Sequence, residues 1–128
     1  MAEITSSNEA PSSVVFEARV PAGIERKSAL MPALAKALEL PDYFGRNWDA
    51  LEECIRDLAW LPEGDVALIH EDVPLENDPQ ALATYLSILS GALRKWTAAR
   101  NRRLLVLFPP GAEERVKAVL LRFRGSEG

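Results

Sequence analysis

The chain has 128 residues, a formal net charge of −4, 48% hydrophobic and 27% charged residues. That is the size of one domain with enough apolar content for a core, and no run approaches the ~18 apolar residues that a membrane span needs. Cys54 is the single cysteine, so an internal disulfide is excluded. With an N-terminus that lacks the basic and apolar stretches of a secretory signal, this points to a reducing cytoplasm.

Charge is spread unevenly. Residues 1–38 carry 4 acids and 4 bases, residues 39–78 carry 12 acids and 2 bases, and residues 79–128 carry 3 acids and 9 bases. The net values are 0, −10 and +6. Such asymmetry fits a charged association surface, and it fits equally a fold in which acidic and basic segments meet and cancel.

Residues 1–13 read as a flexible polar leader. Val14 to Val20 is rich in β-branched and aromatic residues and predicts a first strand, which Pro21-Ala-Gly23 breaks. Leu30, Leu34 and Leu38 recur at i+4 and predict a helix over about Ser28 to Leu40. Pro32 is tolerable only near its first turn, and Pro41 stops it. After the loop Pro41-Asp-Tyr-Phe-Gly-Arg-Asn47, a second helix is expected. Asn47 is its N-cap and Asp49 lies in its first turn. Trp48, Leu51, Ile55 and Leu58 make its apolar stripe, with Ala50 and Cys54 at the margins.

Val66-Ala-Leu-Ile69 is a short continuous apolar run, as in a strand buried on both faces. Asp78-Pro79 opens a long helix reaching about Arg100, striped by Leu82, Tyr85, Leu86, Leu89, Leu93 and Trp96. Leu104 to Phe108 predicts a third strand. After Pro109-Pro-Gly111, a last helix from about Ala112 to Arg124 aligns Val116, Val119, Leu120 and Phe123. Strands alternating with helices imply an α/β domain: a compact three-stranded parallel sheet with helical crossovers. This domain is expected over 14–109, with 110–128 as an extra C-terminal helical extension packed on it.

The second helix has a second face. At about 100° per residue, Asp49, Glu52, Glu53, Arg56 and Asp57 lie opposite its apolar stripe. Asp49, Glu53 and Asp57 are successive i, i+4 neighbours, a spacing at which like charges repel by a few tenths of a kcal/mol. Arg56 offsets part of this from Glu52 and Glu53. The remaining negative potential suits a basic protein partner, although a solvated surface has the same composition. Tyr43 and Phe44, in a loop with Gly45, either cap the core or present aromatic contacts beside that charge.

The stretch Leu40-Pro-Asp-Tyr-Phe-Gly-Arg-Asn-Trp-Asp-Ala-Leu-Glu-Glu-Cys-Ile55 resembles the signature of the barstar family, the intracellular inhibitors of barnase-type ribonucleases. Pro41, Tyr43, Gly45, Asn47, Asp49, Ala50, Leu51 and Cys54 stand in the family's order without gaps. The expected order of strands and helices is similar over about Val14 to Phe108. The resemblance implies a non-catalytic inhibitor without cofactor, whose loop aromatic and helix acids plug the nuclease active site in place of RNA phosphates. Tyr43, Asp49 and Glu53 would be contacts, Glu53 the central acid, flanked by Phe44, Gly45, Asn47, Glu52, Arg56 and Asp57. In this chain Glu53 stands where barstar has aspartate, Glu52 where it has tryptophan, and Arg56 where it has a small hydroxyl residue. The late part of the long helix, where barstar contributes an acid, carries Arg94, Lys95, Trp96 and Arg100 instead. The implied partner is a basic nuclease or toxin rather than a membrane or nucleic acid.

Two other classes stay open on the residues alone. Asp49, Glu53 and His70 could serve a small hydrolase holding Mg²⁺ or Ca²⁺, although His70 with Cys54 makes no zinc set and reads as structural. The basic last third could bind nucleic acid, or it could be the solvated side of helices that neutralise the acidic middle, which is the favoured reading.

Overall fold

The computed structural model describes residues 4–6, 12–41, 45, 47–98 and 102–124. Along the chain they form β1 (Ile4–Ser6), β2 (Val14–Val20), α1 (Lys27–Ala37), α2 (Trp48–Asp57), β3 (Asp65–His70), α3 (Pro79–Ala98), β4 (Leu104–Phe108) and α4 (Glu113–Arg124). The sheet order is β1-β4-β3-β2, and every neighbouring pair is parallel. The expected α/β arrangement is present, with β2, β3 and β4 joined through helical crossovers.

The N-terminus corrects the sequence reading. Ile4–Ser6 falls in the segment expected as a flexible leader, yet it pairs with Val106–Phe108 and adds a fourth, short strand at the β4 edge. Three residues carry no usable periodicity. The ladder edge of β4 supplies what their own sequence does not signal.

β3 lies between β2 and β4, which is why Val66 to His70 is buried without alternation. One face of the sheet presents Ala18, Val20, Val66, Leu68, Leu104, Val106 and Phe108 to the helices. Leu30 and Leu34 of α1, Leu51 and Ile55 of α2, Leu86 and Leu89 of α3, and Val116 of α4 close the same core. Ala67, Ile69 and Leu107 form a smaller apolar cluster on the opposite face.

α1 ends earlier than expected, at Ala37 rather than Leu40. Glu39 enters the left-handed region at φ 53°, and the Leu40 amide reaches back to the Ala35 carbonyl at 2.9 Å. This is a Schellman ending without glycine. Pro32 sits well inside α1, beyond the first turn to which the sequence reading confined it. The Trp60 indole donates to the Leu38 carbonyl at 3.0 Å, tying the end of α1 to the loop after α2.

Arg103 joins two strand starts. Its side chain donates to Asp65 Oδ2 at 2.8 Å, its backbone amide donates to Asp65 Oδ1, and Ser13 Oγ bonds the same carboxylate. The Arg103 guanidinium holds the Asp65 carboxyl below the usual carboxylate range.

Candidate functional site

α2 begins where the sequence placed it. Asn47 adopts an extended backbone, and its Oδ1 accepts the Ala50 amide at 2.8 Å. Its Nδ2 donates to the Gly45 carbonyl at 3.4 Å. A Cβ on Gly45 would lie 3.2 Å from that nitrogen and 3.7 Å from the Ala50 methyl. The missing side chain thus lets the loop close on the cap. Lys27 Nζ, at the start of α1, lies 5.2 Å from the centre of the Trp48 ring, a cation–π contact between the two helix starts.

The inner face of α2 is fixed by burial. Leu51, Ile55 and Leu58 have no exposed surface and Cys54 is buried, each large side chain contributing about 1.5–3 kcal/mol. Trp48 is half-buried at the margin, less central than its place in the stripe suggested. Burial, then the Glu53 and Asp57 carboxylates, pushes the Cys54 thiol up, which keeps it protonated and inert.

The last turn is held by residues distant in sequence. The Trp96 indole donates to the Ile55 carbonyl at 3.0 Å. Arg102 donates to the Leu58 carbonyl at 3.2 Å, and its guanidinium lies 4.4 Å from the Trp96 ring centre. Leu58 itself turns left-handed at φ 45°. A cation at the C-terminal carbonyls also complements the helix dipole. The sequence reading placed Trp96 in the apolar stripe of α3 and left Arg102 without a role. An aromatic residue and an arginine closely flanking a helix end were the available signal.

The outer face carries the charge. Asp49, Glu53, Arg56 and Asp57 are exposed and Glu52 is partly so. Among the described residues, no cation lies within 4.0 Å of any of these four acids, and Arg56 pairs with neither Glu52 nor Glu53. The relief expected from Arg56 is therefore not made as a direct ion pair. Two other acids of the middle segment differ, while Glu39, Glu63, Glu71, Asp72 and Asp78 make no ion pair among the described residues either. Asp65 is taken by Arg103 at 2.8 Å and Glu76 by Arg115 at 2.7 Å. Among the described residues the acidic and basic segments meet in ion pairs at those two places, and the acids of α2 have no ion-pair partner.

A family model described as barstar (barnase inhibitor) matches residues 16–109. The chain belongs to the barstar family. A search of curated proteins finds no match. The matched span runs from within β2 to just past β4 and so contains the whole of α2. Members of the barstar family are inhibitors of a ribonuclease rather than enzymes. Tyr43 and Phe44, the loop aromatics expected to stand beside the acids, lie outside the described residues.

His70 is fully buried, away from the acidic face. Its Nδ1 lies 2.9 Å from the Leu107 carbonyl and its Nε2 lies 2.7 Å from the Tyr85 hydroxyl. The ring stacks on Phe108 at 4.1 Å. The carbonyl can only accept, so Nδ1 carries the proton and Nε2 accepts from tyrosine. Both nitrogens are occupied, and burial pushes the imidazole down to about 4. His70 cannot join Asp49 and Glu53 in one catalytic or ligating set. Among the described residues, no group of three or more His, Cys, Asp and Glu is arranged to hold a metal ion, and no helix is long and apolar enough to cross a membrane.

Proposed function

We propose that this protein inhibits a basic ribonuclease by seating the outer face of α2 in its active site. Asp49 and Glu53 meet the arginine, lysine and histidine side chains that would otherwise hold RNA phosphates. The observation that carries this reading is the exposed acids of α2, without an ion-pair partner among the described residues, on a helix held at both ends and lying within the barstar match. A rigid acidic helix loses little entropy on docking, and desolvated opposite charges at the centre of an interface are strongly coupled. Exposed acids of this kind also raise the rate of encounter with a basic partner. Glu52, Arg56 and Asp57 form the rim, and Gly45 and Asn47 set the approach of the preceding loop, whose Tyr43 and Phe44 supply aromatic contacts. The site of action is the cytoplasm of the cell that makes the nuclease or toxin. Engagement of Arg103 and Arg115 in ion pairs weighs against a nucleic-acid role for the basic last third.

The test pairs capture with activity. Wild type and an Asp49→Asn, Glu53→Gln double variant are used as bait in lysate of the source cell, and captured basic protein is assayed for RNA cleavage. Wild type should abolish cleavage at one equivalent. The double variant should fail to do so, since truncating central interface charges costs ≥ ~2 kcal/mol, a range to which barstar complexes themselves contributed. Equal inhibition by both proteins would remove α2 as the binding element. Retained proteins without ribonuclease activity would remove the nuclease as the target.

A further inference from the structure

β2 is the outer strand of the sheet on the side away from β1. Val20 turns its carbonyl toward the neighbouring chain, accepting the Glu71 amide at 2.9 Å. Backbone direction alternates along a strand, so Arg19 and Glu17 turn their N–H and C=O groups outward. Among the described residues no backbone group bonds them there. Protein edges are often blunted by charged side chains, proline or a bulge; the register shift of β2 lies at its start, between Val14 and Phe16, and the pairing with β3 is regular from Phe16 to Val20. Here the two outward residues carry opposite charges, half-exposed and paired within one strand at 3.2 Å.

We propose that the β2 edge pairs with the β2 edge of a second copy, antiparallel, about a two-fold axis through Ala18. In that register Glu17 of one copy faces Arg19 of the other, and the reverse. Both are outward residues, so each facing pair exchanges two backbone hydrogen bonds, the closely bonded position of an antiparallel ladder. The same register sets four alternating charges on one face, and opposite charges directly across strands stabilise such pairs. A register shifted by two residues would lose this match, because Arg19 would then face Arg19 or Glu17 face Glu17. The two sheets join into one continuous sheet, with α2 outside the contact. A single strand edge is smaller than the ~1,600 Å² of a standard interface, so the dimer is weak and grows with concentration.

The test is sedimentation equilibrium over a concentration series up to ~1 mM, where even −4 kcal/mol of association is visible. Wild type should move from one copy toward two. Glu17→Arg and Arg19→Glu should each remain single copies up to the same limit, because every facing pair becomes like-charged. The double exchange Glu17→Arg, Arg19→Glu is again self-complementary and should recover the wild-type mass. Far-UV circular dichroism confirms that each variant is folded. A wild type that stays monomeric throughout overturns the proposal and leaves the edge to a strand of another protein. Dimers of unchanged strength in the single exchanges also overturn it. Neither residue lies on α2, so ribonuclease inhibition is unaffected by these variants whichever way the masses fall.

Discussion

Asn47 bonds in two directions through one side-chain amide. It accepts the Ala50 amide and donates to Gly45, so it caps α2 and anchors the preceding loop. Asn47→Ala should cost about 1 kcal/mol in urea unfolding at neutral pH. The capping role was legible from sequence, since an asparagine before an apolar-periodic run is a common helix start. Exposure of Asp49 and Glu53 was legible too, because a 3.6-residue period that buries Leu51 and Ile55 must turn them outward. That they have no ion-pair partner among the described residues was not legible. Arg56 stands within one turn of Glu52 and Glu53, and sequence spacing alone pairs them.

α2 is a short helix, and isolated helices of that length are marginal in water. Its persistence rests on what holds its ends. Trp96→Phe keeps an aromatic ring, though a smaller one, and removes the donor to the Ile55 carbonyl. A buried acceptor left without a partner costs about 1–3 kcal/mol. The amides of the last turn of α2 should exchange faster with solvent in this variant, while those of β3 stay protected, as read by hydrogen exchange. The periodicity of α3 located Trp96 on its buried face. It could not disclose the bond to Ile55, which depends on how α2 and α3 cross. β1 was hidden for a related reason: its strand character comes from β4, about a hundred residues away in sequence.

At the scale of the whole molecule, His70 ties stability to pH. Unfolded, an imidazole titrates near 6.5; in the folded protein it titrates at about 4. Between those values the unfolded chain binds a proton that the folded chain refuses. The stability associated with His70 is therefore complete above pH 6.5 and is lost as pH falls toward 4, at up to about 1.4 kcal/mol per unit. Urea midpoints for wild type should fall between pH 7 and pH 5 by more than those of His70→Gln, in which this titration is absent. A His70→Gln variant with the same pH slope as wild type would assign the loss to carboxylates instead. From sequence His70 reads as structural because it makes no zinc set with Cys54; the structure supplies the physical reason in Tyr85, Leu107 and Phe108.

The pairing of Ile4–Ser6 with Val106–Phe108 also bears on the order in which the molecule is made. On a ribosome β1 emerges before β2, and its ladder partner β4 emerges only after α3. The segment must wait, unpaired, while β2 through α3 are synthesised. Non-local pairings of this kind form slowly. A nascent chain arrested before Leu104 lacks not only β4 but any place for its own first strand, and such chains expose an open β3 edge to their neighbours on a polysome.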